Sequence, residues 1–460
     1  MKRILIGIGV LCTLMLLTIN VTSCKKETTN PPKPVDTIPD PGPTPGPTPT
    51  PTPVLSGNNI VVYECNERLF ASSNALQAVR NYLPILQQMQ VNVLWLMPVQ
   101  PRGEVKTVWS PYCVKDYTAV SSDMGTLEDV KSLVKDAHER GMLVILDWVA
   151  NHTAWDHAWV TAHPDWYTPA QTTSEREWQD VTFLDYGKTA VQDAMCDAML
   201  YWVREADIDG FRCDYAEGVP SAFWQRAITA VRQVKPDALW LAESSKTVHF
   251  TDGFDWIYSW DYLYGVEDLY KGTKTLANLW SVSRNEFNTT PAGKNRLRYV
   301  TTHDASSENA PSSFFRDGNG MLSAFCLTAF MGGVPMIYSS QDIGYMNRID
   351  FCTKTTTPLS FSGTNPFVAR YQQLMKIYVE TSEARKGDVT NYSTDKVGVI
   401  TRSAGGQSVL VMANTTASVQ VAPLPMDWQK VEAKDCLSGT TVTTPKSATL
   451  TAYEYRIYTR

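Results

Sequence analysis

The sequence predicts an α/β fold: a closed TIM-type (β/α)8 barrel with a short inserted subdomain after strand 3 and a C-terminal antiparallel β-sandwich. Three observations carry this. Short β-rich runs alternate with longer helical patterns from residue 57 to about residue 383. Several of the runs are continuously apolar, as parallel strands covered on both faces must be. Past residue 384 the helical period stops, and short strands follow one another between turn residues.

The chain opens on a targeting segment over residues 1–23. Lys2 and Arg3 precede an almost unbroken apolar stretch from Ile4 to Ile19. Val21-Thr22-Ser23-Cys24 resembles a bacterial lipobox. The resemblance implies cleavage before Cys24, a lipid anchor on Cys24 and export to the bacterial envelope, at the periplasmic or surface face of the outer membrane. Residues 24–56 then serve as anchor and linker. From Pro31 to Pro53, 11 of 23 residues are proline, which favours extended polyproline II and cannot bury a core.

Eight strands are expected: Ile60–Cys65, Val93–Met97, Leu143–Trp148, Ile208–Cys213, Ala238–Ala242, Trp256–Ser259, Arg298–Thr301 and Met336–Tyr338. The helices between and after them fit Asn74–Gln90, Thr126–Arg140, Thr189–Glu205, Ser221–Val234, Leu276–Phe287, Gly320–Phe330 and Phe367–Thr381. An open doubly wound sheet is the rival, but no Gly-rich phosphate loop follows an early strand. Residues 153–188 carry Trp155, Trp159, Trp166 and Trp178 and read as an insert on the barrel face where active sites lie. Residues 384–460 form the β-sandwich, and 57–383 the barrel.

Composition narrows the function. Hydrophobic residues make up 43% of 460, with 14 Trp, 21 Tyr and 14 Phe, too many aromatics for a chain disordered along its length. A net charge of −6 argues against nucleic acid as a partner. Beyond Cys12 and Cys24 stand seven cysteines with irregular spacing, expected to be free thiols. His157 and His163 lie near Asp156 and Asp165, but without any metal-ligand spacing.

Polar residues at the C-terminal ends of barrel strands converge on one pocket. Here these are Asp147 on strand 3, Arg212 and Asp214 on strand 4, Glu243 after strand 5, and His303 and Asp304 after strand 7. Gathering like charges costs stability, so such a cluster points to a functional demand.

The motifs around these residues resemble the α-amylase family of retaining glycoside hydrolases, over nearly all of residues 57–460. They are Asp147-Trp148-Val149-Ala150-Asn151-His152, Gly210-Phe211-Arg212-Cys213-Asp214, Leu241-Ala242-Glu243, Thr302-His303-Asp304 and Gly333-Val334-Pro335-Met336-Ile337-Tyr338, in order and on the expected strands. The resemblance implies catalysis by Asp214 as nucleophile, Glu243 as acid and base, and Asp304 as a transition-state stabiliser. It implies substrate contacts from Tyr112, His152, Arg212, His303 and Asp147, and an α-glucan or maltooligosaccharide substrate. It also implies calcium near Asn151. Against that calcium, Phe183 stands where an acidic partner is usual, and Glu217-Gly218 replaces the usual Lys-His pair. No cofactor is expected for the chemistry. Ser110 and Thr302 are further departures from the pattern. Hydrolysis of α-1,4 bonds leads. Transglycosylation, α-1,6 action and a non-catalytic glycan-binding lipoprotein are the alternatives.

Overall fold

The computed structural model describes residue 55 and residues 58–172 and 175–460. The signal peptide, Cys24 and the Pro-rich segment Pro31–Pro53 lie outside the described residues. Among those described, no helix is long and apolar enough to cross a membrane.

Eight parallel strands close into a barrel: β1 Val62–Cys65, β2 Val93–Leu96, β3 Leu143–Trp148, β4 Gly210–Cys213, β5 Leu239–Ala242, β6 Trp256–Ile257, β7 Asn295–Arg298 and β8 Val334–Tyr338. Each pairs with its neighbour in sequence, and β8 closes on β1 with Val62 beside Met336. The seventh strand lies three residues earlier than the sequence predicts. Asn295 and Arg296 pair with Trp256 and Ile257, Leu297 and Arg298 pair with Val334 and Pro335, and Tyr299–Thr301 run on without a strand partner. The β-rich letters Tyr299-Val300-Thr301 drew the expected strand forward; the ladder is set instead by where β6 and β8 begin.

Side chains alternate inward and outward along each strand. The inward set of Val62, Val93, Trp95, Ile145, Leu241, Leu297 and Met336 fills the barrel. Gly210 allows β4 to come close to β5: it has φ +145°, and a Cβ there would lie 1.9 Å from the Leu239 carbonyl oxygen. The outer helices behave as their patterns require. Leu127–His138 starts at a Thr126–Asp129 capping box, and Gly141 turns the chain back with φ +77°.

Two regions complete the molecule. Within 153–188 sit strands Tyr167–Thr168 and Val181–Leu184, which join His152–Ala154 in a small antiparallel sheet. The C-terminal region forms a six-stranded antiparallel sheet and a two-stranded one, with Val399, Leu410, Met412, Trp428 and Leu450 between them. Helix Gly318–Phe330 separates barrel from sheet and is buried at every position except Asn319. Gly398 lets strand Val397–Ala404 approach that helix, since a Cβ there would meet Leu327 at 2.8 Å. The seven described cysteines are free, five of them buried.

Candidate active site

The register of the barrel decides which polar side chains meet. Asp147 sits beside Arg212 across β3 and β4. The ladder continues past the strand ends: Asp214 donates its backbone N–H to the Trp148 carbonyl, and Glu243 donates to that of Cys213. Strand pairing thus carries Asp214 and Glu243 onto the C-terminal rim. There a cavity of about 290 Å³ is lined by Tyr112, His152, Asp214, Glu243, His303 and Asp304, with Trp178, Asp180, Tyr215, Phe351 and Cys352. A larger cavity of about 550 Å³ lies at the opposite pole, against Ile60, Asn295 and Val334 at the strand starts. Its lining has one carboxylate, Asp388, and no pair of them, and size alone does not identify the site.

Arg212 is the centre of the arrangement and is fully buried. Its Nη1 donates to Asp147 Oδ1 at 2.7 Å and to Asp214 Oδ1 at 3.1 Å, and its Nε donates to the Tyr258 hydroxyl at 3.2 Å. Nη2 lies 3.1 Å from Glu243 Oε2, close enough for an ion pair but not aligned as a hydrogen bond. The rings of Trp95, Tyr112 and Tyr258 surround the guanidinium at 5.0–5.6 Å. A buried charge needs this degree of pairing.

Tyr215 follows Asp214 in a left-handed conformation, φ +39°, uncommon for a bulky residue. That turn aims its backbone N–H at Glu243 Oε2, 2.7 Å away. Burial pushes the Asp214 carboxyl well above the ordinary carboxylate range, the charge of Glu243 adds to this, and Arg212 opposes it. Burial also raises Asp147, against Arg212 and His303.

The two histidines differ in charge. Burial lowers His152 to about 4, so it is neutral at pH 7, with Nε2 3.2 Å from the Tyr112 carbonyl. His303 is buried too, but Asp304 and Glu64 outweigh that burial and raise it to about 9. One face of the Tyr112 ring stacks on His303 at 5.2 Å, and its hydroxyl donates to Asp147 at 2.9 Å.

Of the expected residues that are described, all but Asn151 reach this site. Cys24 lies outside the described residues. Asn151 sits behind His152, its Oδ1 2.6 Å from where a Cβ on Gly218 would be. Calcium takes six to eight oxygen ligands, and among the described residues no three His, Cys, Asp or Glu side chains gather as ligands. The tryptophans of the insert divide: Trp178 lines the cavity, while Trp159 and Trp166 pack edge to face at 5.3 Å. Glu64 was not expected. A lone acid in the apolar run Ile60–Cys65 was the signal available for it.

Residues 67–183 match the model of the alpha-amylase catalytic domain. A maltogenic alpha-amylase, AmyB, from Thermotoga neapolitana shares 26% identity with a TM-score of 0.77, over 88% of this chain and 99% of that one. The alpha-amylase MalA of Haloarcula japonica is 25% identical over 63% of this chain and 45% of its own length. A cyclomaltodextrinase of Thermoanaerobacter pseudethanolicus is 23% identical over 78% and 66%. The chain spans about half to two thirds of the length of these two curated relatives. Sequence match, shared barrel and the names of these relatives point one way: residues 67–183 match an alpha-amylase catalytic domain, and the chain resembles the α-amylase glycoside hydrolases.

Proposed function

We propose that the chain hydrolyses α-1,4-glucosidic bonds in starch-type glucans or maltooligosaccharides with retained anomeric configuration. The observation that carries this reading is the Arg212 guanidinium, which holds Asp214 and Glu243 on one fork. Retaining glycosidases need their two carboxyls about 5–5.5 Å apart, and one bridging guanidinium favours such an approach.

Asp214 attacks the anomeric carbon while Glu243 gives its proton to the departing glycosidic oxygen. The hydrogen bond from Arg212 Nη1 opposes the burial that raises Asp214 and so favours the ionised nucleophile. Glu243 then takes a proton from water, which attacks the same carbon and frees Asp214. Asp304, partly exposed beside His303, accepts hydrogen bonds from sugar hydroxyls, and neutral His152 offers a further polar contact. Asp147 anchors Arg212 from behind. No step uses a metal.

The test is incubation with amylose, pullulan and maltoheptaose, sizing the products over time, with Asp214→Asn beside the wild type. Short maltooligosaccharides with rising reducing ends are expected, and Asp214→Asn should bind without turnover. Longer products without new reducing ends would make the chain a transferase, cleavage confined to α-1,6 links would reassign its bond, and binding without any turnover would make it a glycan-binding protein.

We further propose that Cys24 carries a lipid that tethers the enzyme to the bacterial envelope, a reading supported by residues 21–24 and the proline-rich segment after them. Labelled palmitate should enter the wild type and not Cys24→Ala. Equal labelling of both would remove the anchor.

A further inference from the structure

Glu64 ends the inward row of β1 and is fully buried. By register it stands beside Trp95 on β2 and Tyr338 on β8, directly below the cavity rim. A buried carboxylate is costly unless paired. Its Oε1 lies 2.5 Å from His303 Nδ1 and accepts the His303 backbone N–H at 3.3 Å. On the other side of the ring, Nε2 is 2.7 Å from the Tyr112 hydroxyl and 3.3 Å from Asp304 Oδ2.

Ionised carboxylates only accept hydrogen bonds. An imidazole with one nitrogen facing Glu64 and the other facing Asp304 satisfies both only if each nitrogen carries a proton. The Tyr112 oxygen then accepts from Nε2, and its own O–H turns to Asp147 Oδ2. Asp147 in turn accepts from Arg212. Donation therefore runs one way, from His303 through Tyr112 to Asp147, and Arg212 meets it from the far side.

We propose that Glu64 is a positioning residue of the active site: it holds His303 doubly protonated, so that the His303–Asp304 pair and the Tyr112 hydroxyl meet the sugar in one fixed hydrogen-bonding pattern. This rests on the glycosidase reading. Every packed element contributes to the charge balance. Glu64 of β1 and Asp304 favour the imidazolium, and the imidazolium in turn lowers Asp147 of β3. Burial and Arg212 of β4 oppose it. The rings of Tyr112, Phe351 and Trp95 enclose it at 5.1–6.1 Å. The net elevation of His303 to about 9 agrees with the geometry.

Glu64→Gln tests this in the full chain, because the carboxamide oxygen can still accept from Nδ1 but carries no charge. In the wild type, kcat/KM should fall as pH rises through about 9. In Glu64→Gln that basic limb should move down by about one to two pH units. The 15N shifts of the His303 ring in histidine-labelled protein should move with it, and Glu64→Asp should recover part of the shift. A uniform loss of activity at every pH, with the His303 titration unmoved, would reduce Glu64 to a packing role and overturn the proposal. If the wild type turned over no α-glucan, the ring titration would still decide whether Glu64 sets the state of His303, so the two failures are separable.

Discussion

Glu243 is gripped by one oxygen. Its Oε2 accepts the Tyr215 N–H and faces Arg212, while Oε1 takes no hydrogen bond from the described residues, and Glu243 lines the cavity. The ungripped oxygen is the natural seat for a transferable proton. Glu243→Gln should therefore cost about 10²–10⁴-fold on substrates with poor leaving groups, the usual contribution of general acid catalysis. Activated aryl glycosides, which need no protonation to depart, should lose far less in glycosyl-enzyme formation. Parallel burst kinetics on maltoheptaose and a nitrophenyl glycoside would check this, and equal losses would deny Glu243 the acid role. At this scale the sequence offered Asp214 and Glu243 as candidates because each directly follows a strand inside a local motif, and Asp304 through its own motif six residues beyond the strand. Glu64 and His303 lie 239 positions apart, so their pairing existed only in the closed barrel. Trp178 was legible as an aromatic in an insert, but whether it faced sugar or core depended on a sheet register that no local pattern encodes.

Helix Trp260–Lys271 had no counterpart in the expected elements. Its aromatic start and internal Gly265 are weak helix formers, and packing overrides them: a Cβ on Gly265 would touch Leu279 at 3.1 Å. The same helix carries Glu267, which burial, then Asp268 and Glu308, raise to about 8. The folded chain thus keeps this proton to about pH 8, whereas the unfolded chain releases it near 4.5. Folded molecules bind more protons across that window, so stability falls as pH rises through it. Glu267→Gln does not titrate and should be more stable than wild type at pH 8 by on the order of 1–3 kcal/mol, with a smaller difference at pH 5. Melting curves at the two pH values would decide, and an equal offset at both would mean that Glu267 is ionised throughout. Strand β7 teaches the complementary lesson. Its existence was readable from composition, and its register was not, because β6 and β8 choose which residues pair.

Across the whole molecule, alternation over residues 57–383 was enough to foresee eight strands, and the observed order has each strand beside its sequence neighbour. What composition could not show is how the C-terminal sheet is joined to the barrel. Helix Gly318–Phe330 answers that. It is apolar almost all round and covered on both sides. Ser323 reaches across to the Asn414 carbonyl at 3.1 Å, and the described residues from 58 onward belong to one compact unit. The helix is a party wall, belonging to both rooms and finished for neither exterior. A shortened enzyme that ended with the barrel would leave an oily surface facing solvent, so the catalytic half has no independent life, and any redesign of this chain must carry its terminal sheet along.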